Sequence, residues 1–353
     1  MKNIYLISYS KENLGDDLFV EILLKKYPNC NFHLNSIKKE NNIYNSYSNI
    51  FYTDLKFYDL NDSNIINFDV VIYVGGSIFM EHAGGIERIN LLINLSNLCK
   101  LHNIPLFFIS SNFGPYVTDS YKLATENLFK NCTDVCFRDK YSYNQFKDIP
   151  SVRYAPDLVF NFVSPRPKLK HKKVGINVLS FKFRNNFKNL ENLYFNTLML
   201  TIKNFIDNDF EVSLLSFCNY EGDKDSINHI LNNLLDKNYT DKISVLEYNG
   251  NLDEFISRYS EFEYMLCSRF HSMILSCLFN QKMYVLSYSN KLNNAIKDLS
   301  LLHEYHNLKD LKHNSYIDFK DFCLPKFNKN ILKEYDNQFS KLNNYLCTTE
   351  RSN

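Results

Sequence analysis

The sequence predicts two Rossmann-like α/β domains with mainly parallel sheets, facing each other across a cleft. Three observations carry that expectation. A chain of 353 residues exceeds one ordinary domain and suits two, since domains usually run to about 100–200 residues. Apolar β-rich runs alternate with helical patterns from end to end, as βαβ units require. Between the halves, Pro156, Pro165 and Pro167 are followed by Lys168, Lys170, Lys172 and Lys173, and a fresh β-run then opens at Val174. Proline clusters of this kind mark a linker, so the boundary is expected near residues 163–173. The expected division is a first domain over 1–165, a second over 170–310 and a tail over 311–353.

In the first half the β-runs are Ile4–Ser8, Asn49–Thr53, Val70–Val74, Leu106–Ser110, Val135–Arg138 and Val152–Tyr154. After Asp16 the apolar positions Leu18, Phe19, Ile22 and Leu23 recur at helical spacing, and Ile86–Leu101 and Tyr121–Phe129 also read as helices. The second half repeats the alternation with strands at Val174–Leu179, Val212–Phe217, Ile243–Leu246, Tyr264–Cys267 and Met283–Ser287. Beyond about residue 300 the pattern fades until Asn330–Leu346, a final helix expected to pack on the first domain.

Composition narrows the function classes. Forty basic and thirty-nine acidic side chains leave a net charge of +1, without the basic stripe that nucleic-acid binding demands. The lysine run beside the prolines reads as a solvated linker face. Nine cysteines are scattered singly, giving neither a disulfide framework nor zinc-ligand spacing; they read as reduced cytosolic thiols. Residues 1–9 have too short an apolar run for a signal segment, and no stretch approaches the ~20 apolar residues of a membrane span. A cytoplasmic protein is expected, with at most peripheral contact at the inner face of the membrane.

In parallel α/β sheets ligands bind at the carboxyl ends of the strands, so the residues that follow each strand are the candidates. Asn13-Leu14-Gly15-Asp16-Asp17 follows the first strand; its glycine permits a tight turn, and Asp16 suits a helix cap. Gly75-Gly76-Ser77 follows Val70–Val74, where two glycines allow close approach and exposed amides hold an anion. Ser110-Ser111-Asn112-Phe113-Gly114-Pro115 shapes a third loop. Asp223-Lys224-Asp225 has the DxD form of some metal sites, yet polar residues at a helix start are common; no metal is expected. Arg138-Asp139 either lines the cleft or forms a surface ion pair.

Ser268-Arg269-Phe270-His271 is the most informative. Ser268 suits an N-cap, and Phe270, Met273, Ile274, Cys277 and Leu278 then form one apolar helical stripe. Arg269 and His271 fall off it, in the first turn, where free amides and the macrodipole disfavour a cation unless an anion is present. A guanidinium grips a carboxylate or phosphate with two prongs and a histidine carries a proton.

With Asn13-Leu14-Gly15-Asp16-Asp17, Gly75-Gly76-Ser77-Ile78-Phe79, Asn112-Phe113-Gly114-Pro115, Phe137-Arg138-Asp139, Ala155-Pro156-Asp157 and Ser268-Arg269-Phe270-His271 in this order, the chain resembles the polysaccharide pyruvyl transferase family. The resemblance implies a GT-B-like pair of domains and transfer of pyruvate from phosphoenolpyruvate onto two hydroxyls of one sugar as a cyclic ketal, with no cofactor. It implies donor binding by Ser268, Arg269, Phe270, His271, Gly75, Gly76, Ser77 and Arg138, and acceptor binding by Asn13, Gly15 and Asn112. His271 and Arg269 would carry the chemistry, with Asp16 and Asp157 as acceptor-side carboxylates. Many members bear an arginine after the first strand of the second domain. This chain has Val178-Leu179-Ser180 there, and Lys182 or Arg184 stands in. The implied partners are phosphoenolpyruvate and a bacterial capsule or exopolysaccharide glycan, lipid-linked forms included. A nucleotide-sugar glycosyltransferase on the same scaffold is the alternative.

Overall fold

The computed structural model describes residues 1–36, 43–81, 85–163, 169–234, 237–301, 305–326 and 334–347. It divides into two compact units, each with its own core. One unit takes the described residues of Met1–Ser10, Asp16–Phe162 and Lys329–Asn353; the other takes those of Lys11–Gly15 and Val163–Asn328. Part of the expected linker, residues 164–168 with Pro165, Pro167 and Lys168, lies outside the described residues, as do residues 330–333 of the expected last helix.

The first unit is a seven-stranded sheet. Its strands are β1 (Lys2–Ile7), β2 (Cys30–Asn35), β3 (Ile50–Thr53), β4 (Val70–Val74), β5 (Leu106–Ser111), β6 (Asp134–Phe137) and β7 (Val152–Tyr154). They lie in the order β3-β2-β1-β4-β5-β6-β7, every pair parallel. β4 and β5 are buried along their whole length, as strands covered on both faces must be. α1 (Leu14–Lys26) carries Asp16 and Asp17 in its first turn and Lys25 and Lys26 in its last, each sign at the end where the macrodipole favours it. Its positions Leu18, Phe19, Ile22 and Leu23 are buried as the periodicity predicts. α2 (Asp62–Ile65), α3 (Gly85–Leu101), α4 (Asp119–Asn131) and α5 (Lys140–Phe146) follow. Tyr5, Phe79, Phe108 and Phe129 lie at the centre of this core.

The second unit is a six-stranded sheet of β8 (Lys170–Asn177), β9 (Glu211–Ser216), β10 (Ile243–Glu247), β11 (Phe262–Cys267), β12 (Lys282–Ser287) and β13 (Tyr305–Asn307). The order is β10-β9-β8-β11-β12-β13, again all parallel. α6 (Glu191–Asp207), α7 (Asp223–Asn233), α8 (Lys237–Thr240), α9 (Leu252–Tyr259), α10 (Phe270–Phe279) and α11 (Asn290–Asp298) connect them. Tyr194, Phe205, Leu214 and Leu266 centre the second core. α12 (Ser340–Leu346) follows a 3-10 turn, Tyr335–Phe339; there buried Gln338 accepts from the Ser110 amide and donates to the carbonyls of Ala155 and Pro156.

In each sheet the strand order reverses once, between β1 and β4 in the first and between β8 and β11 in the second. Such a switch point leaves a crevice at the carboxyl ends of the two central strands. Gly75-Gly76 therefore stands at one crevice, and both Val178-Leu179-Ser180 and Ser268-Arg269 stand at the other. Among the described residues, no helix is long and apolar enough to cross a membrane.

Two strands escape the periodicity reading. β2 has the sequence CNFHLN, and β13 is only YHN. Two caps also differ. Asn13, not Asp16, sits at the start of α1, its Oδ1 accepting from the Gly15 amide at 3.1 Å. Arg269, not Ser268, is the N-cap of α10 and makes no side-chain cap. The Ser268 hydroxyl is occupied instead by the phenol of Tyr194, which donates to it at 3.0 Å.

Candidate functional site

The predicted site residues fall into two clusters, one in each unit. In the second unit the crevice loops supply the charge. Past β8 the chain turns at Ser180, whose carbonyl accepts from Arg184 Nη1 at 2.6 Å. Arg184 Nη2 reaches Glu221 Oε2 at 2.8 Å, and Arg269 Nη1 reaches the same oxygen at 2.9 Å. The other carboxylate oxygen of Glu221 accepts from Asn13 Nδ2 at 3.3 Å. Arg269 Nη2 pairs with Asp223 Oδ1, and Asp223 Oδ2 accepts the amides of Phe217 and Cys218, both at 3.1 Å. Two arginines and two carboxylates thus interlock, with Asp223 wholly buried. The Arg269 amide itself donates to Asn177 Oδ1 at 2.9 Å.

This corrects the argument that a cation at the start of α10 calls for a ligand anion. Glu221 and Asp223, 48 and 46 residues away in the chain, already supply the negative charge. It also disposes of the DxD pattern as a ligand set, because both oxygens of Asp223 are committed. One donor stays over: Arg269 Nε is buried without a hydrogen-bond partner, and such a group costs free energy until something accepts from it.

The cluster fixes its own protonation. Burial pushes the Glu221 carboxyl up, but Arg269 and Arg184 more than offset it, holding the group at about 2. Tyr288, just past β12 and missed by the sequence reading, lies with the Arg184 guanidinium 5.2 Å above its ring. Burial raises that phenol, whereas Arg184 and Lys291 draw it down to about 8. Its position directly after a predicted strand was the available signal.

His271 lies in the first turn of α10, half-buried, edge-on to Phe270 with ring centroids 5.2 Å apart. Gly15 packs against the imidazole: a Cβ at that position would fall 1.6 Å from His271 Nδ1. Only glycine allows that approach. Lys182 does not join the arginines; its ammonium stands 5.3 Å above the Phe183 ring, and Arg184 is the basic residue that reaches the cluster.

The first-unit cluster is of another kind. Arg138 Nη1 pairs with Asp157 Oδ2 at 2.9 Å, each side chain 2% exposed. Arg138 Nη2 donates to Asn112 Oδ1 at 3.0 Å. Asp157 also accepts from the Ser110 hydroxyl and the Val159 amide. Arg138 is therefore a buried partner of Asp157 rather than half of a surface pair, and Asp139 turns away to cap α5 through Ser142. A Cβ on Gly76 would fall 2.1 Å from Arg138 Nη2, so this glycine makes room for a guanidinium. The expected anion cradle is partly used up, since the Gly75 amide donates to Ile109 O at 3.3 Å. Ser77 is exposed, and Asp16 is half-buried with a carboxylate oxygen beside Gly75.

Among solved structures, the S. aureus MnaA-UDP co-structure aligns over 99% of this chain and 99% of its own, with 10% identity and a TM-score of 0.59. A putative UDP-N-acetylglucosamine 2-epimerase from Listeria monocytogenes aligns over 99% and 98%, with 9% identity and a TM-score of 0.57. UDP-GlcNAc 2-epimerase from Methanocaldococcus jannaschii aligns over 96% and 92%, with 11% identity and a TM-score of 0.54. At such identity the likeness establishes the fold, two parallel-sheet α/β domains of GT-B-like type, and nothing about ligands. No curated protein matches the sequence. The sequence model for polysaccharide pyruvyl transferase matches residues 13–290, from Asn13 to the start of α11, and the chain belongs to that family.

Proposed function

We propose that this protein transfers pyruvate from phosphoenolpyruvate onto two hydroxyls of one sugar, closing a cyclic ketal during bacterial capsule or exopolysaccharide assembly. The observation that carries the reading is the convergence of Arg184 and Arg269 on one carboxylate at the second switch point, with a buried Arg269 Nε still to be satisfied. The donor bears a carboxylate and a phosphate. Either group competes with Glu221 for the same guanidiniums, and Arg184 takes the part that other members give to an arginine directly after the strand.

The chemistry balances without a cofactor. One sugar hydroxyl adds to C2 of the enol as C3 gains a proton. The second hydroxyl then displaces phosphate from C2, and its proton leaves to a base. His271 is the proton-transfer residue in this scheme, and Arg269 holds the donor. Ser268, Phe270, Gly75, Gly76 and Ser77 remain proposals for the donor side and Asn13, Gly15 and Asp16 for the acceptor side; Asn112 and Asp157, enclosed against Arg138, are assigned to structure instead. The protein acts in the cytoplasm, at the inner membrane face where its acceptor is lipid-linked.

The test is phosphate release from phosphoenolpyruvate with galactose- and mannose-type acceptors. Release is expected only when an acceptor is present, with formation of a pyruvate ketal by mass. Arg269→Lys should lower turnover by about 10²–10³, the usual loss when one preorganised donor is misplaced; unchanged turnover overturns the site. Thermal stabilisation by UDP- or GDP-sugars but not by phosphoenolpyruvate would point to glycosyl transfer instead.

A further inference from the structure

We propose that Phe183 and Tyr220 form the platform on which the acceptor sugar lies, and that Lys11 and Lys182 select an acceptor carrying a phosphate beside that sugar. The proposal rests on the pyruvyl-transfer reading for what happens to the sugar, and on geometry for where the sugar binds.

Phe183 and Tyr220 are 58% and 52% exposed, yet they are not scattered surface residues. Their rings stack with centroids 6.0 Å apart and planes 25° apart. The cause is the charged cluster beneath them. Phe183 precedes Arg184 and Tyr220 precedes Glu221, so the 2.8 Å pair between Arg184 and Glu221 ties the two loops together and brings the rings face to face. An aromatic pair held rigidly in water exposes apolar area with little rotamer freedom left to lose, which favours a ligand that covers it. A pyranose does so with its axial C–H groups while its hydroxyls stay at the rim. Residues adjoining Arg184 and Glu221 also place that sugar beside the proposed donor site.

The charges define the rest of the acceptor. Lys182 Nζ lies 5.3 Å over the Phe183 ring and Lys11 Nζ 5.0 Å over the Tyr220 ring. Neither ammonium has a carboxylate partner among the described residues, in contrast to Arg184 and Arg269, which are paired. Two separate ammoniums flanking an apolar platform match a dianion attached to a sugar better than a single carboxylate, and lysine binds phosphate as a point charge.

Saturation-transfer NMR on the full chain, without phosphoenolpyruvate, tests this with galactose 1-phosphate, mannose 1-phosphate, their methyl glycosides and galacturonate. At least one sugar phosphate should bind about tenfold more tightly than its methyl glycoside, the scale of a desolvated cation contact. Phe183→Ala and Tyr220→Ala should each weaken it by a similar factor without lowering the melting temperature. The double variant Lys11→Ala, Lys182→Ala should abolish the phosphate preference and leave methyl glycoside binding unchanged. Equal binding of phosphate and methyl glycoside in the wild type, a preference for galacturonate, or wild-type binding by the aromatic variants overturns the proposal. Sugar-phosphate binding that follows these expectations while phosphoenolpyruvate is never consumed defeats the donor reading alone. Turnover of phosphoenolpyruvate with unchanged KM for acceptor in Phe183→Ala defeats the platform alone.

Discussion

Arg138 of the first unit and Arg269 of the second both follow a strand and both pair with buried carboxylates, yet their surroundings differ. Arg138 meets Asp157 and Asn112 among the described residues, its ion pair 2% exposed on each side. Arg269 has wholly buried Asp223 as one partner, but it shares Glu221 with a second arginine, keeps an unsatisfied Nε, and the side chains of Arg269, Arg184 and Glu221 are 10–18% exposed. A saturated pair with no water access holds structure together. A carboxylate shared between two guanidiniums can exchange for a ligand's anion, since the arginines keep a negative partner throughout and the displaced Glu221 is the more exposed of the two carboxylates. Family motifs mark both arginines alike; the difference lies in what else each one touches.

The largest effect comes from breaking the enclosed pair from one side. Asp157→Ala strands Arg138 in the first core and should cost about 3–5 kcal/mol, read by urea denaturation. Replacing both partners by Arg138→Met with Asp157→Leu should recover most of that loss. Equivalent apolar replacement of Arg269 with Glu221 should leave phosphoenolpyruvate turnover at background even where the fold survives.

Next comes acid. Glu221 titrates at about 2 when folded against an ordinary 4.5. Its stabilising contribution is therefore complete above about pH 4.5 and disappears as pH falls toward 2. The linked effect is on the order of 3 kcal/mol. Glu221→Gln should flatten that part of the stability profile, whereas Asn112→Ala in the other cluster should not.

The two glycines give a smaller and more discriminating contrast. Gly76→Ala drives a methyl into the fully enclosed Arg138 and should cost about 1–3 kcal/mol of stability. Gly15→Ala drives a methyl onto the half-buried His271 imidazole, so the expected loss is chiefly in turnover, with a smaller loss of melting temperature than in Gly76→Ala. A matched loss of stability in both variants would place His271 in the structural class.

The finest effect is spectroscopic. Tyr288 titrates at about 8 rather than 10, so one tyrosinate absorbance step should appear near pH 8. It should vanish in Tyr288→Phe and move up in Arg184→Ala. The sign also makes tyrosinate formation stabilising: its contribution is present above pH 10 and lost as pH falls through 8.

Much of the fold is legible because burial leaves a plain mark on sequence. Val70–Val74 is apolar at every position since both faces are covered. β2 hides because its burial alternates, with asparagine and histidine on the half-exposed face, and β13 is too short and polar to register. The site is less legible for a related reason. The rule that ligands gather past strand ends finds Arg269, His271, Gly76 and Arg138 from local order alone. What it cannot supply is pairing over distance: nothing in spacing joins Arg269 to Glu221, or Arg138 to Asp157. Asp223 stands in a DxD pattern, and its work is to fasten a turn and an arginine. Tyr288 satisfies the same strand-end rule, but a tyrosine there carries no charge until Arg184 alters it.

The second unit is not one continuous stretch of chain. Lys11–Gly15 groups with it, through the Leu14 amide on Phe217 O, the Asn13 amide on Glu221 and the Gly15 backbone against His271. A fragment cut at the proline-rich segment and expressed alone would carry Arg184, Arg269 and His271 but lack one wall of their site. Isolating this half in working form calls for a circular permutation that returns those five residues, or for supplying them as a separate peptide.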